Sequence, residues 1–189
     1  MMNYPNKKKI PEKPKNYANL GQTLERDIEI TNEFYRLEGI AVIHKKPTPI
    51  QVVEVNYPAR NKAKIVEAYY KIPSTTDFNG VYKGKYIDFD AKETNTKTSM
   101  PLSNIHPHQV LHLKNVDKSG GIAFLIVHFK QYAEYFVLPS NVLFRCWDDS
   151  QNGGRKSIPY QVFKNEAFQI RFGLNPRLDY LRVLEDNLM

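Results

Sequence analysis

The sequence predicts an α/β chain of the α+β type, a central mixed β-sheet flanked by helices, and three observations carry that prediction. From Tyr86 onward the residues alternate, with Tyr86, Asp88, Asp90 and Lys92 on one side and Ile87, Phe89 and Ala91 on the other. That is the period of a half-buried strand. Residues 122–129, IAFLIVHF, are nearly continuously apolar, as expected of a strand covered on both faces. Segments 23–38, 104–114 and 178–188 repeat apolar residues at helical spacing.

The chain has 189 residues, enough for one ordinary domain with a real core, and no feature calls for a second. Lys and Arg number 27 against 20 acids, a net charge of +7 that favours nucleic acid or another polyanion as partner. The single Cys146 excludes an internal disulfide and cysteine-rich zinc modules, and fits a reducing compartment. No apolar run approaches membrane-spanning length, and the basic start MMNYPNKKKIPEKPK has no apolar stretch after it. A cytoplasmic protein without membrane contact is expected.

Residues 1–17 are rich in Lys and Pro and read as a flexible basic arm, which either contacts phosphates or only solubilises. Residues 23–38 read as a helix with Gly39 just past its end. Glu25, near its start, is either a surface acid or a carboxylate reaching the acid site on residues 77–92. Residues 40–43 (IAVI) read as a short buried strand, after which Pro47 and Pro49 turn the chain. Val52, Val53 and Val55 suggest an extended piece, followed by a basic run and a short helix through Tyr70. Across this excursion Lys45, Lys46, Arg60, Lys62, Lys64 and Lys71 interleave with Tyr57, Tyr69 and Tyr70. The mixture suits phosphate contact plus stacking on unpaired bases, and a solvated loop with structural tyrosines is the plainer alternative.

A helix is expected to start near Pro107, carrying Gln109 and, one turn apart, His108 and His112. A zinc site of His106, His108 and His112 is disfavoured, because Gln109 stands where the HExxH motif needs its glutamate. These histidines are expected at the surface or facing DNA. Residues 122–129 and 134–138 read as central strands, 141–147 as a short helix, 148–156 as a loop and 157–165 as a helical turn. Phe168, Ile170 and Phe172 mark a last strand, and Leu181 and Leu184 point inward from a closing helix. The Gly-rich phosphate cradles of P-loop and dinucleotide-binding folds are missing from the sequence.

The chemistry concentrates in residues 75–92, TTDFNGVYKGKYIDFDAK. With Lys83 and Gly84 as a two-residue turn, Tyr82 faces Lys85, Phe78 faces Phe89 and Asp77 faces Asp90. Directly opposed side chains have Cβ atoms roughly 4.5–5.5 Å apart, where like charges are destabilising. A cation between the two carboxylates is therefore expected, and an oxygen-ligated divalent metal is the economical choice. Lys92 follows Asp90 on the same face, about 6–7 Å further along, within reach of a water or phosphate on such a metal. The plain alternative for these charges is a solvated face of an antiparallel sheet.

An acid at Asp77, a second at Asp90 and a lysine at Lys92 have the layout of the PD-(D/E)xK nucleases. The wider text, including KKPTPIQVVEVNYPAR, PLSNIHPHQ, NGGRKSI and NPRLDYL, closely resembles the RecU family of Holliday-junction resolvases from about Asn16 to the end. The resemblance implies a restriction-endonuclease-like core over residues 18–189, with a projecting stalk inserted at approximately 55–71. It implies an Mg²⁺-dependent endonuclease, with Mn²⁺ as a substitute, cutting two opposed strands of four-way junctions in recombination and repair. Asp77, Asp90 and Lys92 match the catalytic residues, and Thr75, Asp77, Asp90 and Gln109 match the metal site. Lys92 would stabilise the transition state. Arg60 matches a stalk arginine concerned with recombination partners, and a homodimer, a recombinase and a branch-migration motor are the protein partners implied. The location implied is the nucleoid. Asp88 is expected to be a spectator. The family usually has Glu where this chain has Asp90, which leaves open a catalytically weak, junction-binding protein that regulates recombination. A different structure-selective endonuclease is the third reading.

Overall fold

Thr23 starts the first helix, α1 (Leu24–Leu37), by accepting a hydrogen bond from the Arg26 amide on its hydroxyl, and Gly39 leaves it at a φ of 65°. The chain continues as β1 (Val42–Lys45), the hairpin strands β2 (Ile50–Asn56) and β3 (Lys64–Tyr70), and the hairpin strands β4 (Phe78–Tyr82) and β5 (Lys85–Thr94). Next come β6 (Ser99–Pro101), a 3-10 turn at Leu102–Asn104, α2 (Pro107–Lys118), β7 (Ile122–Phe129) and β8 (Glu134–Pro139). α3 (Ser140–Gln151), β9 (Ser157–Pro159), α4 (Tyr160–Glu166), β10 (Phe168–Ile170) and α5 (Tyr180–Asn187) complete the chain. This computed structural model describes residues 23–59, 62–71 and 75–189, so the expected basic arm (1–17) and Arg60 lie outside the described residues.

The central sheet has six strands in the order β1-β4-β5-β7-β8-β10. It is mixed, because β5 and β7 run parallel while every other pair is antiparallel. Lys83 and Gly84 turn β4 into β5 with φ of 47° and 75°, the double positive φ of a type I′ turn. Phe78 then pairs with Phe89 and Tyr82 with Lys85, as the sequence predicts. Alternate positions feed two cores. On one face α1 and α5 bury Leu24, Ile28, Tyr35, Leu181 and Leu184 against Phe78, Ile87, Phe89 and Phe124. On the other, α2, α3 and α4 bury Val110, Leu113, Leu143 and Phe163 against Leu125, Val127 and Phe136. Phe89 sits between Phe78 and Phe124 at ring-centroid distances of 5.1 and 4.7 Å.

Several elements depart from expectation. The strand expected at 40–43 lies at Val42–Lys45, and Ile40 and Val42 are exposed because β1 is the sheet's edge. The segment through Tyr70 is a strand and not a helix. β2 and β3 form a two-stranded sheet of their own beginning at Ile50, and every residue of β3 is exposed. α3 runs through Gln151 into the expected loop, and the helical turn at 157–165 divides into β9, paired with β6, and α4. The last strand stops at Ile170, with Phe172 only bridging Leu178. No helix among the described residues is long and apolar enough to cross a membrane.

Candidate active site

β5 is covered on both faces, so its polar side is not solvated: Asp88 and Asp90 are each 0% exposed. Extending the β4–β5 register by one residue sets Asp77 opposite Asp90. Burial first, then hydrogen bonding to and repulsion from Asp90, raises the Asp77 carboxyl to about 7. Asp90 accepts the Ala91 amide on Oδ1 at 3.0 Å, and its buried Oδ2 makes no aligned hydrogen bond. That oxygen has the Lys92 ammonium at 2.8 Å, an ion pair in which the lysine side chain is 13% exposed. Once Asp77 is ionised the two carboxylates outnumber the one lysine beside them, and this donor set fits a hard divalent cation. Among the described residues no three His, Cys, Asp or Glu side chains converge as metal ligands, so further ligands would come from neutral oxygens.

Thr75 and Gln109 are the expected neutral donors. Thr75 lines the same cleft of about 320 Å³ as Asp77, Thr76 and Glu25, and its hydroxyl leans on the Thr76 carbonyl at 3.4 Å. Gln109, buried in the first turn of α2, accepts the His106 amide on Oε1 at 3.0 Å. One lone pair of that amide oxygen serves as a helix cap and one is left over. α2 is the crossover between parallel β5 and β7 and runs back along them. Stepping from His112 to Gln109, about 4.5 Å, therefore moves toward the same end of the sheet as stepping from Asp88 to Asp90, about 6.6 Å.

Asp88 is not a solvated charge but a buried one with several partners. Its Oδ2 takes Lys46 Nζ at 2.8 Å, the Tyr86 hydroxyl at 2.7 Å and His112 Nε2 at 2.9 Å, while Oδ1 accepts from the Thr76 hydroxyl. Burial opposes its charge, but the bonds from Lys46, Thr76, His112 and Tyr86 outweigh it and hold Asp88 below the usual carboxylate range. Lys46 is thereby engaged with Asp88, with 19% of its side chain exposed. His112 likewise meets Asp88 and keeps 23% of its side chain exposed, while His106 is exposed and its ring stacks on that of His108 at 5.3 Å. The Thr76 hydroxyl makes this bond as a donor that proline, alanine or valine at the same position would lack. A charge on a strand covered on both faces must find partners, and it is the structure that shows both faces of β5 covered.

Glu25 pairs with Lys45 at 2.6 Å, and Lys45 also meets Glu29 at 3.1 Å, so both ends of that lysine's surroundings are acidic. Glu25 lines the cleft beside Asp77 and a second one beside Lys92. Lys62, Lys64 and Lys71 are exposed on or beside the β2–β3 hairpin, and no carboxylate pairs with them among the described residues. Tyr57, Tyr69 and Tyr70 are exposed there too.

A family model described as Recombination protein U matches residues 19–186. The Holliday junction resolvase RecU of Geobacillus sp. (strain WCH70) is 53% identical over 180 residues, covering 95% of this chain and 89% of that protein. The protein of the same name from Listeria welshimeri is 50% identical, with 96% of each chain covered. A solved structure of Hjc, a Holliday junction resolvase from Archaeoglobus fulgidus, aligns at a TM-score of 0.45 and 12% identity, over 77% of this chain and 93% of that one.

Proposed function

Because the chain belongs to the RecU family, we propose that it is a Holliday-junction resolvase, a metal-dependent endonuclease that cuts two opposed strands of a four-way DNA junction. The observation that carries this reading is the half-buried Asp77 set opposite the buried Asp90, with Lys92 at 2.8 Å from Asp90. Asp77 and Asp90 would hold Mg²⁺ or Mn²⁺, with Thr75 and Gln109 as neutral donors. Bound there, the cation supplies polarisation of the scissile phosphate and a lowered pKa for an attacking water. The chain's own part is positional and electrostatic. Asp77 would serve as a ligand in its ionised form. Lys92 offsets charge that builds on the phosphoryl oxygens once its ammonium is shared between Asp90 and substrate.

The exposed hairpin supplies the DNA-facing surface, with Lys62, Lys64 and Lys71 for phosphates and Tyr57, Tyr69 and Tyr70 for unpaired bases. A four-way junction is two-fold symmetric, so a homodimer presenting two such sites matches the need for two opposed cuts. Incubating the protein with a labelled junction, linear duplex alongside, tests the reading. Symmetric paired nicks in the junction with Mg²⁺ are expected, and duplex cut equally well would make it a different endonuclease.

A further inference from the structure

We propose that Asp88 is a positioning residue for the metal site, the common anchor that sets Asp77 and Gln109 relative to Asp90. The inference rests on the nuclease reading above. Asp88 is wholly buried and lies two residues before Asp90 on the same strand face. Its partners come from three other segments. Thr76 stands between Thr75 and Asp77 just before β4. His112 stands one turn beyond Gln109 on α2. Lys46 follows β1, and while its ammonium meets Asp88 at 2.8 Å its amide donates to the Asp77 carbonyl at 2.7 Å. The backbone of Asp77 is thus tied to Asp88 from both sides, through Thr76 and through Lys46.

Each tie has a geometric consequence. Asp90 is fixed by the sheet ladder, whereas Asp77 precedes the paired part of β4 and is held at its backbone by the bond it receives from the Lys46 amide. Gln109 rides on a helix that could slide along the sheet. Three of the bonds to that carboxylate, from Lys46, Thr76 and His112, restrain both freedoms, and a buried network of this kind, fully satisfied, specifies one arrangement. Such orientation of ligands by groups behind them is worth about 10–100-fold in metal affinity at characterised sites.

The test compares wild type with Asp88→Asn, which keeps the shape and removes the charge. In the metal-free protein, hydrogen exchange at the Lys46 amide should be at least tenfold faster, while amides in β7 are unchanged. Calorimetric titration with Mn²⁺ should show affinity weakened about tenfold or more. The Mg²⁺ concentration for half-maximal junction cutting should rise by the same factor, with junction affinity in EDTA within twofold of wild type. A folded variant with wild-type Mn²⁺ affinity and Lys46 exchange would overturn the inference, whatever its melting temperature. Should Asp88→Asn fail to fold, His112→Phe removes one partly exposed bond and tests the helix tether. Mn²⁺ affinity reduced about threefold supports the proposal, and an unchanged value overturns it. Wild type that neither binds Mn²⁺ nor cuts junctions would instead overturn the nuclease reading itself.

Discussion

Lys46 reaches into the protein to meet Asp88 at 2.8 Å, leaving only 19% of its side chain exposed. A lysine that reads in the sequence as one of a basic cluster is therefore half of a buried ion pair. Removing one partner of such a pair leaves an uncompensated buried charge. Lys46→Met is expected to cost about 3 kcal/mol in urea-unfolding free energy. Its effect on junction binding should lack the signature of a lost phosphate contact. Lys62→Ala and Lys64→Ala should each lower the salt dependence of binding by about 0.9 in slope, whereas Lys46→Met should leave the slope unchanged.

Asp77 makes stability fall with rising pH when metal is absent. Its folded-state value of about 7 lies above the unfolded value of about 4, so between these limits the native state keeps a proton that the unfolded chain has released. In EDTA the urea midpoint should drop from pH 5 to pH 8, and Asp77→Asn should flatten that slope. Saturating Mg²⁺ should offset the loss for wild type and do nothing for the variant. Asp88 acts with the opposite sign: its lowered value stabilises above about pH 4, and that contribution disappears as acid protonates it.

Phe89 carries the core beneath the site. It is fully buried and stacked between Phe78 and Phe124, so Phe89→Ala should cost about 3–5 kcal/mol. Metal affinity measured on the remaining folded protein should change little, since the ring faces away from Asp88 and Asp90.

Glu25 separates stability from activity. Its pair with Lys45 is substantially exposed, at 45% and 41% of the side chains, and exposed pairs contribute under about 1 kcal/mol. Because Glu25 lines the clefts beside Asp77 and beside Lys92, Glu25→Gln should leave the unfolding midpoint nearly unchanged and lower the cutting rate.

The hairpin of residues 75–92 was legible in the sequence because a two-residue turn dictates register, and register alone sets Asp77 against Asp90. The central strands and three helices were legible from their periods. β3 was not, since KIVEAYY buries no face and so shows no period to read. Periodicity also sorts residues by face without saying whether a face is covered. For that reason Asp88 looked like a surface charge, and Lys46 and His112 looked like groups seeking DNA or solvent, until the parallel neighbour β7 and the crossover helix α2 closed over them.

The central claim is that Asp77 and Asp90 form the metal site of a junction-cutting enzyme. Its most direct test is cutting of a labelled four-way junction by wild type and Asp77→Asn, with junction binding measured in parallel. Wild type should give paired, symmetric nicks that require Mg²⁺ or Mn²⁺, and Asp77→Asn should bind the junction within a fewfold of wild type and not cut it. Cutting retained by Asp77→Asn, or none by wild type with either metal, would contradict the account.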